Sequence, residues 1–146
     1  MMYFIDTSAL FKRYVQEPGS DVVESLFVRS APCHISAVTT LELLSNLQRL
    51  RTVDRALSDL DFSEAWNAFF LDVADRLVEV AGATAGRVSA ASEMLITRYL
   101  TPIDALQIAT ARSLGPETVF VSSDRKLNEL VRDQGMRVLD PCHPEA

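Results

Sequence analysis

Four acids stand at points along the chain where chemistry could be done: Asp6, Glu42, Asp104 and Asp124. Asp6 closes the apolar run Tyr3-Phe4-Ile5, and Asp124 follows Val119-Phe120-Val121-Ser122-Ser123. In an open parallel sheet, ligands sit beyond the carboxyl ends of the strands, where strand passes into helix. If those two strands are neighbours, their acids face one another. Glu42 and Asp104 lie near helix starts, and each has a local use. Thr39-Thr40-Leu41-Glu42 matches a capping box, and Thr101-Pro102-Ile103-Asp104 puts an acid in the first turn of a helix. Asp104 and Asp124 also suit the helix dipole. A cap contributes about 1 kcal/mol and asks nothing of the other three acids. Convergence would change this, because two unscreened carboxylates about 4 Å apart repel by about 4 kcal/mol at an effective dielectric near 20. Four acids gathered in one pocket therefore call for a cation. Oxygen ligands suit Mg²⁺ or Mn²⁺ better than zinc, which prefers His and Cys. Such ions take carboxylates together with waters and a substrate phosphate. Local spacing alone does not bring the four acids together.

The elements that must position them are short apolar runs alternating with helical periodicity. Tyr3-Phe4-Ile5 and Val119-Phe120-Val121 read as strands covered on both faces, as do Cys33-His34-Ile35 and Met136-Arg137-Val138-Leu139 more weakly. Leu10, Phe11, Tyr14 and Val15 share a face of a first helix that Pro18-Gly19 stops. Val22, Val23, Leu26 and Phe27 mark a second helix. Val38, Leu41, Leu44, Leu43, Leu47 and Leu50 stripe a third, leaving Glu42, Asn46 and Arg49 on its polar face. Trp66, Phe69, Phe70 and Val73 have core spacing on a fourth. After a loop at 82–86, further helices are expected over about 87–99, 103–113 and 124–133, the last two stopped by Gly115-Pro116 and Gly135. Strands separated by helices imply a central parallel sheet flanked by helices, a three-layer α/β/α domain. At 146 residues the expectation is a single domain over 1–146.

The formal net charge of −6 argues against a protein that coats nucleic acid through bulk positive charge. Two divalent ions at the acids would bring that charge to −2 and reverse the local sign. Basic residues near the acids are the candidate phosphate contacts: Lys12 and Arg13 after the first, Arg49 two turns beyond Glu42, Arg125 and Lys126 after the last. Cys33-His34 and Cys142-His143 carry soft ligands, but adjacent strand residues point to opposite faces, which disfavours a zinc site. The remaining reading is a buried strand cysteine plus a tail. The N-terminal residues do not read as a signal peptide and no stretch approaches a membrane span, so a cytoplasmic location is expected.

The four acid segments together resemble the PIN-domain ribonucleases, most closely the toxin component of VapBC-type toxin-antitoxin pairs. The likeness is carried by Phe4-Ile5-Asp6-Thr7-Ser8-Ala9-Leu10, by Ser36-Ala37-Val38 through Glu42-Leu43, by Thr101-Pro102-Ile103-Asp104-Ala105-Leu106 with Ile108-Ala109-Thr110-Ala111, and by Val119 through Leu127. It covers essentially the whole chain. The resemblance implies that Asp6, Glu42, Asp104 and Asp124 form an acidic quartet binding Mg²⁺ or Mn²⁺, with Ser8 and Ser122 orienting carboxylates or water. It also implies an endoribonuclease leaving 5'-phosphate and 3'-hydroxyl ends, a homodimer, and a cognate antitoxin that inserts into the acidic pocket. Position 107 is Gln where many relatives carry His, and position 122 is Ser where Thr is frequent. A PIN-fold binding module without catalysis is the alternative. A receiver domain is a third reading, but it expects paired acids after the first strand, where this chain has Asp6-Thr7.

Overall fold

The computed structural model describes residues 1–29 and 31–145. In chain order the elements are β1 (Met2–Ile5), α1 (Thr7–Tyr14), α2 (Ser20–Phe27), β2 (Cys33–Ser36), α3 (Ala37–Thr52) and α4 (Asp59–Ala74). There follow β3 (Val78–Ala81), α5 (Ala85–Thr97), α6 (Pro102–Ser113), β4 (Thr118–Val121), α7 (Arg125–Asp133) and β5 (Arg137–Leu139). The strands form one sheet of order β3-β2-β1-β4-β5, and every neighbouring pair is parallel. This is the expected three-layer α/β/α architecture.

Alternation along the central strands splits the core in two. Ile5, Ile35, Val78 and Val121 face a cluster built with α1 to α4, including Leu10, Val23, Leu43, Leu47 and Phe69. Phe4 and Phe120 face the other way, against Met94, Ile108, Leu127 and Val131 of α5, α6 and α7. Phe4 and Phe120 are paired in register on β1 and β4, and their rings stack at 5.4 Å. All four residues of β4 are buried, which is why its sequence reads as a continuous apolar run.

The strand order reverses direction at β1 and β4, the topological switch point where such sheets open a crevice for ligands. Asp6 lies immediately past the end of β1, and Asp124 three residues past the end of β4.

The sequence reading missed β3. Val78-Glu79-Val80-Ala81 is a short edge strand whose Val80 is 43% exposed, so its alternating pattern is half solvated and lacks the apolar run that marks β1 and β4. The helix α3 begins earlier than a capping box at Thr39 requires. Its cap is Ser36, whose Oγ accepts the Val38 N–H, and Glu42 is already in the second turn. Leu41 and Phe70, read as core from their spacing, are exposed, because the apolar stripes on α3 and α4 are wider than the faces the sheet covers.

Candidate active site

Asp6 is the N-cap of α1 and one of the most enclosed acids of the chain, 4% exposed. Its Oδ1 accepts the Ala9 N–H at 3.0 Å and the Ser8 hydroxyl at 2.8 Å, and its Oδ2 accepts the Ser122 hydroxyl at 2.6 Å. Burial pushes this carboxyl up to about 6, against the pull of those three hydrogen bonds, and Asp124 adds a smaller push in the same direction. The cap of α1 is Asp6, which leaves the Ser8 hydroxyl free to bridge. It donates to Asp6 and accepts the Ser123 N–H at 3.1 Å.

Ser122 is fully buried and ties three parts of the site. It donates to Asp6, accepts the Asp124 N–H at 3.1 Å, and through its carbonyl accepts Asn128 Nδ2 at 2.8 Å. Asp124 caps α7 by accepting the Leu127 N–H at 3.1 Å. Thr101 caps α6 by accepting the Asp104 N–H at 3.1 Å, as its sequence announces, with Pro102 at the helix start. The Asp104 carboxyl is pushed up first by burial, with Asp124 and Glu42 adding to it while the bond to Thr101 opposes. Glu42 comes in from α3, where its Oε1 accepts the Thr7 hydroxyl at 2.6 Å. The four acids line one cavity of about 220 Å³ together with Thr7, Ser8, Asn46 and Gln107. Capping and clustering are thus not alternatives here. Asp6 and Asp124 cap helices through one oxygen while lining the shared cavity.

Burial, more than mutual repulsion, dominates the shifts at Asp6 and Asp104. Among the described residues no three His, Cys, Asp or Glu side chains stand close enough to cage a metal ion. The donor set is nonetheless oxygen throughout, and Mg²⁺ retains several waters while binding through one or two carboxylates. A cavity of this size and chemistry fits a hydrated hard cation, not a dehydrated or soft one.

The basic residues divide. Arg13 is committed to the interior. Its Nε and Nη2 bond Asp72 at 2.8 and 3.0 Å, Nη1 bonds Glu24 at 2.9 Å, and the guanidinium lies 3.9 Å from the Phe27 ring centroid. Lys12 is 7% exposed and paired with Glu17 at 2.8 Å. These bonds take Arg13 out of the RNA contacts expected from the sequence and leave Lys12 little freedom to make one. Arg49 sits on the rim of an adjoining cavity that shares Ser8 and Asn46 with the acidic one, its side chain largely exposed beside Asp54 at 3.8 Å. Arg125 and Lys126 are exposed past Asp124. Cys33 is buried in β2, where burial pushes its thiol up to about 11, and Cys142 is exposed with its Sγ 3.4 Å from the Pro18 carbonyl.

Sequence reasoning passed over Thr7, Thr39 and Asn46 as members of the site. Asn46 was signalled by its place one turn after Glu42 on the same helix face. Thr7 and Thr39 carry no such local mark, since their partners are 35 and 68 residues away.

Solved structures with the same fold include the FitAB complex bound to an IR36 DNA fragment, with a TM-score of 0.71, 15% identity and 99% of each chain covered. VapBC2 from Rickettsia felis bound to a promoter DNA fragment matches with a TM-score of 0.66 and 15% identity, over 96% of this chain and 98% of that one. DNA-bound VapBC from Salmonella typhimurium matches with a TM-score of 0.66 and 19% identity, over 97% and 99%. No curated protein matches the sequence. The model of the PIN domain family matches residues 3–132, which span β1 to α7 and all four acids, and the chain therefore belongs to the PIN domain family.

Proposed function

We propose that this protein is a divalent-cation-dependent endoribonuclease, the toxin of a type II toxin-antitoxin pair, acting through Asp6, Glu42, Asp104 and Asp124. The observation that carries the reading is the meeting of four carboxylates from four separate segments in one cavity at the sheet's switch point. Membership of the PIN family supports a nuclease, and the toxin-antitoxin complexes among the similar folds support the biological role. A cation bound there supplies Lewis acidity and a water of lowered pKa.

The chain's own residues do the rest. Asp6, Asp104 and Asp124 hold the cation, Asp6 with its orientation locked by Ser8, Ala9 and Ser122. Thr7 fixes Glu42 so that its free oxygen can position a water or a ligand within the cavity. Arg49, Arg125 and Lys126 hold the RNA backbone at the rim, where charge positions without specifying sequence. Mg²⁺ is the expected cation, with Mn²⁺ able to replace it. Asp6 and Asp124 cap helices and Asp104 lies in the first turn of one, so cleavage-dead Asp→Asn variants can keep the fold.

The test is incubation of the purified chain with RNA in Mg²⁺ or Mn²⁺ and in EDTA, with the 5'-phosphate ends mapped. Cleavage that requires the cation and disappears in Asp6→Asn is expected. Undiminished degradation in EDTA, or a fully active Asp6→Asn protein, would sink the reading. A pure binding module gives no cleavage under any of these conditions.

A further inference from the structure

We infer that Gln107 is a neutral member of the cation site, its amide oxygen accepting a hydrogen bond from the water shell of a cation held among the four acids. The inference rests on the cation-dependent reading above. Gln107 follows Asp104 by one turn of α6 and lines the same cavity. It is 2% exposed. Its Nε2 donates to Thr39 Oγ1 at 2.9 Å, and Thr39 is fully buried one turn before Glu42 in α3. The pair therefore ties together the two helices that carry Glu42 and Asp104.

Gln107 Oε1, by contrast, has no hydrogen-bond partner. A buried acceptor left unpaired is destabilising and rare in native proteins. No side chain on the cavity wall is bonded to it. The four carboxylates are acceptors, the Thr7 and Ser8 hydroxyls already donate to Glu42 and Asp6, and Asn46, the other amide on the wall, makes no bond to it. A wall on which acceptors outnumber free donors favours an occupant rich in donors. Phosphate oxygens fail this condition, and a bare ion would need the three-ligand cage that is absent among the described residues. A hydrated cation meets it, presenting O–H donors in every direction while needing one or two direct carboxylates.

Calorimetric titration of the full chain with MgCl₂, MnCl₂ and hexamminecobalt(III) tests this directly. The cobalt complex presents a fixed shell of N–H donors that it cannot shed. Wild type is expected to bind all three. Gln107→Leu should weaken each by about tenfold, the usual effect of losing an outer contact, and Gln107→Glu should bind at least as tightly as wild type. Thr39→Val breaks the same helix tie but keeps the Gln107 carbonyl, so it should weaken binding much less. Circular dichroism checks each fold, and Gln107→Met replaces the leucine variant if that one melts early. Equal losses in Thr39→Val and Gln107→Leu would reduce Gln107 to a structural tie and overturn the inference. So would unchanged cation affinity in Gln107→Leu, with or without weaker RNA binding, or a loss in Gln107→Leu that touches Mn²⁺ but leaves the cobalt complex unaffected, since that would make the contact one to the ion and not to its shell. In each of those cases the cation-dependent reading stands. Failure of wild type to bind any of the three removes that reading itself.

Discussion

Ser122 and Asp6, 116 residues apart in sequence, are joined by a 2.6 Å hydrogen bond one position beyond the β1–β4 pairing of Ile5 with Val121. The Asp6 N–H continues that pairing by donating to the Val121 carbonyl at 3.0 Å. Strand register thus sets the position of the most buried carboxylate of the site. Ser122→Ala removes a donor to a buried carboxylate and should lower stability by about 1–3 kcal/mol in urea unfolding. Cleavage should fall by about tenfold or more. Unchanged values for both would mean that the bond orients nothing.

The acidity of Asp6 makes a signed prediction for the cation-free protein. Its carboxyl is raised from 3.8 to about 6 in the folded state, chiefly by burial. Between those values the folded chain binds more protons than the unfolded one, so stability falls as pH rises from about 4 to about 6 and levels off above. The drop is on the order of 2 kcal/mol. Urea unfolding in EDTA across this range should show the slope in wild type and a flatter profile in Asp6→Asn. Identical profiles would place the titration elsewhere.

Thr7 of α1 holds Glu42 of α3 by a 2.6 Å hydrogen bond, and both line the cavity. Thr7→Val keeps the shape and removes the hydroxyl. Stability should change by about 1 kcal/mol or less, whereas cleavage should drop severalfold. Thr7→Ser should recover it. A loss in Thr7→Ser as large as in Thr7→Val would point to packing instead of the hydroxyl.

Arg13 separates structure from substrate binding. Its bidentate pair with Asp72 joins α1 to α4, and Tyr14 adds a hydroxyl donated to Asp72 at 2.6 Å. Asp72 is 7% exposed, so Arg13→Ala leaves a nearly buried carboxylate short of its partner. About 3 kcal/mol or more of stability should be lost. Arg49→Ala and Lys126→Ala should leave stability nearly unchanged and weaken RNA binding, with a smaller salt dependence. An Arg13→Ala protein of normal stability would return Arg13 to the candidates for RNA contact.

The central strands and most helix limits were legible because their causes are local. Val119-Phe120-Val121 is continuous apolar chain since both faces of β4 are covered, and Thr101-Pro102 opens α6 by a cap and a ring that need no distant partner. The edge strand β3 escaped because one side of it meets solvent. The capping box read at Thr39 is not the start of α3, because Ser36 caps the helix and Thr39 is taken by Gln107, 68 residues on.

Of the site itself, the positions of the four acids after strands and near helix starts, taken with the resemblance to PIN-domain ribonucleases, were enough to propose them, and the fold brings all four to one cavity. Which of the nearby bases is free was not legible in the sequence, because Arg13 is claimed by Asp72, 59 residues on. Nor could the sequence show that Gln107 keeps an unpaired oxygen beside Asp104, or that Thr7 holds Glu42. Caps, turns and apolar periodicity act over one or two turns of chain and are written in neighbouring residues. Burial and long-range hydrogen bonds depend on the sheet order that brings β1 beside β4 and α3 beside α6, and that order exists only once the chain has folded.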